Sequence, residues 1–263
     1  MDNGSVKMEM KGKVYILTLN QPKKHNAMNE DMTTAFREAI QRVKNEPLAR
    51  VAVLTGAGES FSAGGNLQIM LEKTRKDIAT NRKEILSFYK TFLTIMDLEI
   101  PTIAAINGPA IGAGACLCMA CDMRYATDSS KISFPFVRIG IHPGMGAEYF
   151  LARAIGRARA FELLMTGDII SAEEACRIGL VNRVVPREAL MDRVMEVAEK
   201  IASMAVLPIK MLKQTIPMAS RSDLADVLQT EANYQAICFA GKDIREGISS
   251  VIEKRSPRFE EEY

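Results

Sequence analysis

Apolar positions along the first half of the chain switch repeatedly between two periods. Val14-Tyr15-Ile16-Leu17-Thr18-Leu19 is a short β-rich run that ends at the loop signal Asn20-Gln21-Pro22. Met32, Ala35, Phe36, Ala39, Ile40 and Val43 then recur at helical spacing. Arg50-Val51-Ala52-Val53-Leu54-Thr55 reads as a buried strand, running through Gly56-Ala57-Gly58 into a loop that reaches Gly65. Strand, helix, strand, loop predicts a wound α/β sheet with parallel neighbours.

The pattern continues in the same style. A helix is predicted over about 80–98, stopped ahead of Pro101. A strand over 102–106 meets the turn Asn107-Gly108-Pro109, and a helix of small and apolar residues follows over 113–120. Strands are predicted over 123–126 and 131–134, and Pro143-Gly144 opens a helix over about 145–155. Ser171-Ala172-Glu173-Glu174 fits a capping box, with Gly179 as the matching stop. Leu180 to Val185 reads as a last strand before Pro186. Residues 187–254 are helical in pattern, with breaks expected at Pro208, Pro217 and Gly241. The predicted organisation is an α/β core over 1–190 and a helical region over 191–263, with no internal repeat.

Composition narrows the class. Hydrophobic residues are 48% and charged residues 25% of 263, the values of an ordinary soluble globular chain. Lys+Arg minus Asp+Glu is 34 − 32 = +2, which gives no support to a nucleic-acid surface. The first residues lack the apolar stretch of a secretory signal. Cys116, Cys118, Cys121, Cys176 and Cys238 are an odd number, which suits a reducing compartment, and a cytoplasmic protein is expected. Ile103 to Cys121 is nearly all apolar, but Asn107 and Pro109 interrupt it, so no membrane span is expected.

Several familiar motifs are incomplete. Gly56-Ala57-Gly58 and Gly112-Ala113-Gly114 each lack the third glycine of a dinucleotide fingerprint. Cys116-x-Cys118-x-x-Cys121 has no second Cys/His pair, and on a helix residues 116 and 118 face different ways, so no metal site is expected. Ser60-Phe61-Ser62-Ala63-Gly64 supplies only part of a serine nucleophile elbow, and His25 and His142 are the only histidines.

Two glycine-rich turns in equivalent places carry more. Phe61-Ser62-Ala63-Gly64-Gly65-Asn66 follows one strand, and Gly108-Pro109-Ala110-Ile111-Gly112-Ala113-Gly114 follows the next and enters a helix. Small residues let backbone approach a ligand, and one N–H from each loop could grip a single carbonyl oxygen. Tight helix–strand packing also asks for small residues, and spacing does not choose between the two.

Along nearly its whole length the chain resembles the crotonase superfamily, the enoyl-CoA hydratase/isomerase family. The residues are Leu19-Asn20-Gln21-Pro22-Lys23-Lys24-His25-Asn26-Ala27-Met28, the two turns above, Met119-Ala120-Cys121-Asp122, Gly140-Ile141-His142-Pro143-Gly144, Thr166-Gly167, Ala172-Glu173-Glu174-Ala175, Ile178-Gly179-Leu180-Val181, and Glu246-Gly247 with Glu253-Lys254-Arg255. The resemblance implies a ββα spiral core with a helical C-terminal trimerisation region, and a homotrimer or a hexamer built as a dimer of trimers. It implies an acyl-CoA thioester substrate, no tightly bound cofactor, and coenzyme A present only as part of the substrate. The oxyanion N–H groups would be those of Gly65 and Ala113. Ala27, Ala63, Gly64, Asn66, Leu67 and Gly112 would line the substrate, with Lys23 or Lys24 near the CoA phosphates.

The sequence departs from the family where hydratases carry two glutamates. Cys116 stands at the first position and Phe136, after Pro135, at the second. Gly144 stands where some relatives place an acid after the later proline. One acid or base contributes roughly 10²–10⁴ in rate, so simple hydration is in doubt. His142, Glu148 and Cys116 are the remaining candidates for acid, base or nucleophile, and the stretch 70–90 offers Glu72, Asp77 and Glu84. The expected activity is that of an enoyl-CoA hydratase/isomerase-type lyase or isomerase working through a thioester enolate. The alternatives are a catalytically weak acyl-CoA binder, or a decarboxylase or hydrolase of the same fold.

Overall fold

The computed structural model describes residues 4–259. Strand β1 (Val6–Lys11) pairs antiparallel with β2 (Val14–Leu19) across the two-residue turn Gly12-Lys13. Helix α1 (Glu30–Lys44) follows, capped by the Asn29 side chain, which accepts from the Met32 N–H. Strands β3 (Val51–Gly56) and β4 (Thr102–Ile106) continue the sheet in parallel. Between them lie α2 (Leu67–Lys73) and α3 (Ile78–Leu93).

After β4 come the short β5 (Ala110–Ile111), α4 (Ala113–Met119), β6 (Met123–Thr127) and β7 (Lys131–Ser133). A 3₁₀ turn over Phe136–Ile139 leads to α5 (Ala147–Thr166), β8 (Ile169–Ser171), α6 (Ala172–Arg177) and β9 (Arg183–Val185). The large sheet runs β1-β2-β3-β4-β6-β9, parallel except for the first pair, and β5-β7-β8 form a small second sheet. The chain ends in α7 (Leu190–Ala202), α8 (Val206–Ala219), α9 (Leu224–Ala240) and α10 (Asp243–Ile252).

Strict alternation sorts the central strands onto two cores. Val14, Ile16, Val51, Val53, Ile103 and Ala105 face Leu190, Val194 and Ala198 of α7. Leu17, Leu19, Ala52, Leu54, Ala104 and Ile106 point to the other side, where α1, α3 and α4 supply Phe36, Phe92 and Leu117. Strands covered on both faces read as unbroken apolar runs, which is why β2, β3 and β4 stand out in the sequence.

The structure corrects several sequence expectations. Strand β1, helix α2 and strands β5 and β8 were not predicted. The helix expected to reach residue 98 ends at Leu93, and a tight 3₁₀ turn completes the connection over Thr94–Asp97. The helix expected to end near 155 kinks at Gly156 and then continues to Thr166. Pro208 lies in the first turn of α8, where its missing N–H costs no helical bond. Helix α7, grouped by sequence with the helical region, covers one face of the large sheet.

Candidate functional site

The two glycine-rich turns are stitched together by main chain. The Phe61 and Ser62 N–H groups donate to the Pro109 carbonyl at 3.0 and 3.2 Å, and the Ile111 N–H donates back to the Ser62 carbonyl at 2.9 Å. Two asparagines brace this seam. Asn26 is fully buried, and its Nδ2 donates to the carbonyls of Ala57, Ser60 and Phe61 at 2.9, 2.8 and 3.2 Å. Asn107, in the other turn, accepts from the Gly56 N–H at 3.0 Å and donates to the Gly58 carbonyl at 3.0 Å. The buried Ser62 hydroxyl donates to the Asn26 carbonyl at 2.8 Å and accepts from the Gly64 N–H at 3.1 Å.

This bracing brings Gly64-Gly65 against the first turn of α4. Gly64 has φ +80, and a Cβ there would sit 2.4 Å from the Ile111 carbonyl oxygen and 3.0 Å from the Ala113 nitrogen. Only glycine fits so close an approach. Among the described residues, neither the Gly65 nor the Ala113 N–H has a hydrogen-bond partner. The Met70 methyl lies over Gly65, 2.4 Å from where a Cβ would be. The Asn66 side chain caps α2, accepting from the Gln68 and Ile69 N–H groups at 2.9 and 3.1 Å. Ala63 and Leu67 are exposed, Gly112 is half-buried and Ala27 is buried. Lys23 and Lys24 are exposed on the 3₁₀ turn Pro22–Lys24.

One turn beyond Ala113, Cys116 is wholly buried and its thiol lies 3.5 Å from the Gly144 carbonyl oxygen. Burial pushes this thiol far above the ordinary range, so it stays protonated and is neither a thiolate nucleophile nor a base. Beside it stands a group that sequence reasoning missed. A Cβ at Gly144 would lie 1.9 Å from the Tyr89 hydroxyl oxygen, so this phenol, from α3, occupies the space a side chain at 144 would enter. Burial raises the Tyr89 pKa, Cys116 acts in the same direction, and the Met145 backbone N–H opposes both. Phe136 is buried at the start of its 3₁₀ turn.

The other candidates are exposed or engaged with neighbouring side chains. His142 and Glu148 face each other at 3.4 Å but are exposed. They line an open groove of about 360 Å³ with Arg157, Phe161, Leu164 and Met165, and neither Gly65 nor Ala113 lines it. In the stretch 70–90 the acids have other tasks. Asp77 caps α3, Glu84 pairs with Lys73 and Lys76 at 2.6 Å each, and Glu72 is exposed. His25 Nδ1 is 3.2 Å from the Ser60 hydroxyl, and Ser60 is buried. Among the described residues, no group of three or more His, Cys, Asp or Glu is placed to hold a metal, and no helix is long and apolar enough to cross a membrane.

A family model for enoyl-CoA hydratase/isomerase matches residues 9–262. The chain belongs to the enoyl-CoA hydratase/isomerase family. It is 37% identical to a short-chain-enoyl-CoA hydratase of Clostridium acetobutylicum over 97% of each chain. It is 36% identical to a crotonyl-CoA hydratase of Syntrophomonas wolfei over 96% of each. The crystal structure of an enoyl-CoA hydratase from Polaromonas superposes with a TM-score of 0.91 at 31% identity, covering 97% of this chain and 99% of that one.

This family membership makes the chain an enoyl-CoA hydratase/isomerase-type enzyme with an acyl-CoA thioester as its substrate class. The sequence singled out the two glycine-rich turns, and the family resemblance named Gly65 and Ala113 within them. Sequence reasoning did not weigh Asn26, Asn107 or Tyr89. Asn26 sits inside a quoted family stretch, and its burial was the missing signal. Tyr89 looks in sequence like one more apolar position of an amphipathic helix.

Proposed function

We propose that this enzyme processes acyl-CoA thioesters through an enolate whose oxygen is held by the Gly65 and Ala113 N–H groups. The observation that carries the reading is the pair of donors, one from each turn, that have no partner among the described residues and are braced by Asn26, Ser62 and Asn107. Each such donor contributes roughly 10²–10³ in rate when aimed at developing oxyanion charge. Both donors are main chain, so alanine at 113 serves as well as glycine. Ala27, Ala63, Gly64 and Gly112 lie around the pair and would meet the thioester and its CoA arm, with Lys23 and Lys24 exposed nearby for phosphate. No resident cofactor is required, since coenzyme A arrives with the substrate.

Cys116, Phe136 and Gly144 make the surroundings of the donors short of carboxylates. That favours enolate chemistry without added water, such as isomerisation or decarboxylation, over efficient hydration. Self-association as a trimer or hexamer accompanies this reading. No side chain of α8 or α9 is fully buried within one chain, and Ile216 of α8, Phe239 of α9 and Val251 of α10 are 66%, 68% and 77% exposed. Five free cysteines suit a reducing, cytoplasmic setting.

Mass spectrometry of short enoyl- and acyl-CoAs incubated with the enzyme in heavy water tests the reading. Deuterium entering the acyl chain without a gain of water is the expected result. Gain of a whole water would instead establish hydration. Tight binding of every thioester with neither change would establish a binding protein.

A further inference from the structure

Position 144 has no side chain of its own, and its space is filled from a different element. The Tyr89 hydroxyl oxygen stands 1.9 Å from where a Gly144 Cβ would be, and the ring carbon that bears it stands at 2.7 Å. Cys116, one turn after the donor Ala113, approaches the same residue through its thiol. The phenol, the thiol and the Gly144 main chain therefore form one cluster behind the first turn of α4. Tyr89 is held there by its own helix. Its ring meets Phe88 edge-on at 6.1 Å between centroids, and Phe88 in turn packs on Phe92 at 5.0 Å. On the other side Met145 adopts a left-handed backbone, φ 53, that a non-glycine residue takes only under constraint.

We propose that the Tyr89 hydroxyl is the proton-transfer group of this enzyme, serving the carbon next to the thioester carbonyl. The proposal rests on the enolate reading above and adds the residue that completes it. With the enolate oxygen held at Gly65 and Ala113, the carbon–carbon π electron pair of the enolate takes the phenolic proton. The O–H bond of Tyr89 breaks, a C–H bond forms, and the thioester carbonyl is restored. The phenolate left behind regains its proton from water. The reverse sequence starts from the phenolate form of Tyr89 and removes an α-proton, so exchange from a saturated acyl-CoA rises with pH.

The surroundings match these steps. Burial keeps the hydroxyl protonated at neutral pH, which is the state a proton donor needs. The Met145 N–H favours the phenolate and so supports the state that follows transfer. The neighbouring thiol of Cys116 keeps its proton and does not compete as a base.

The test is Tyr89→Phe, which keeps the ring and removes only the hydroxyl. Deuterium incorporation at the α-carbon of an acyl-CoA is followed in heavy water, and thioester binding is measured alongside. The expected result is an exchange rate lowered by about 10²-fold or more, with the dissociation constant changed by less than about threefold. The alkaline limb of the wild-type rate profile should vanish in the variant. Exchange within about twofold of wild type would overturn the proposal, as would a loss confined to binding, because either makes Tyr89 a packing residue. Gly144→Ala is the second variant: its methyl must displace the phenol, and full exchange in that variant would also overturn the proposal. If the wild-type enzyme itself exchanges no thioester proton, the enolate reading fails and this proposal with it. That failure is visible before any variant is made.

Discussion

The Ser62 hydroxyl ties the Asn26 carbonyl to the Gly64 N–H, with bonds of 2.8 and 3.1 Å. A buried serine and a buried asparagine, far apart in sequence, therefore set the position of the glycine pair at 64 and 65. Asn26 is the larger contributor, because its amide satisfies three carbonyls in a region closed to water. Asn26→Ala takes the amide donor from the Ala57 and Phe61 carbonyls and leaves the Ser60 carbonyl with only the 3.4 Å contact from Asn107, and an unsatisfied buried group costs about 1–3 kcal/mol. A clear fall in the thermal midpoint is expected, together with loss of turnover beyond the loss of folded protein. An unchanged midpoint would refute the bracing role.

Ala113 offers a cleaner test of the donor pair than Gly65. It is the first residue of α4, a position that proline accepts without loss of a helical bond. Ala113→Pro removes the N–H and puts a ring carbon in its place. The fold should survive by circular dichroism, while kcat/KM falls by about 10²–10³. A folded variant with wild-type kcat/KM would rule out this donor.

Burial divides the five cysteines into two classes. Cys116, Cys118 and Cys121 are buried, and desolvation raises all three, Cys121 to about 12. Cys176 and Cys238 are half-buried. A thiol alkylating reagent at pH 8 should label Cys176 quickly and leave the first three unmodified until the chain unfolds. Rapid native labelling at Cys116, read by peptide mass spectrometry, would contradict the burial described above.

The turn after α10 should respond to acid. Glu246 accepts from both terminal nitrogens of Arg255 at 2.5 and 2.9 Å and from the Arg258 N–H at 2.6 Å. These bonds hold its pKa at about 2, below its ordinary 4.5. The unfolded chain then binds this proton more readily than the folded one. The pair's contribution is therefore complete above about pH 4.5 and is lost as the pH falls towards 2. Urea midpoints measured across that window should decline, and Glu246→Gln should decline less. Equal slopes for the two proteins would contradict the assignment.

How much could be read without coordinates depended on how local the cause was. Strands β2 and β4 were predicted with the bounds observed, because a strand buried on both faces is apolar at every step. Strand β1 was overlooked because it lies at the sheet edge and its residues are largely exposed. The glycine-rich turns were legible because a close approach leaves small residues behind. Tyr89 was not, because its significance lies in the missing side chain at Gly144, on a separate part of the chain. His142 and Glu148 carried the right chemistry, but nothing in their spacing tells that they turn outward and pair with each other.

The seam between the two turns also bears on how such a chain can change over time. Its donors are amides that every residue but proline supplies, and its braces are a few polar side chains set back from the reacting atoms. On the proposed function, positions 89, 116, 136 and 144 can be exchanged one by one while the grip on the thioester persists. Holding and reacting are then in separate hands, and on that reading a lineage can trade one reaction for another without passing through a form that binds nothing.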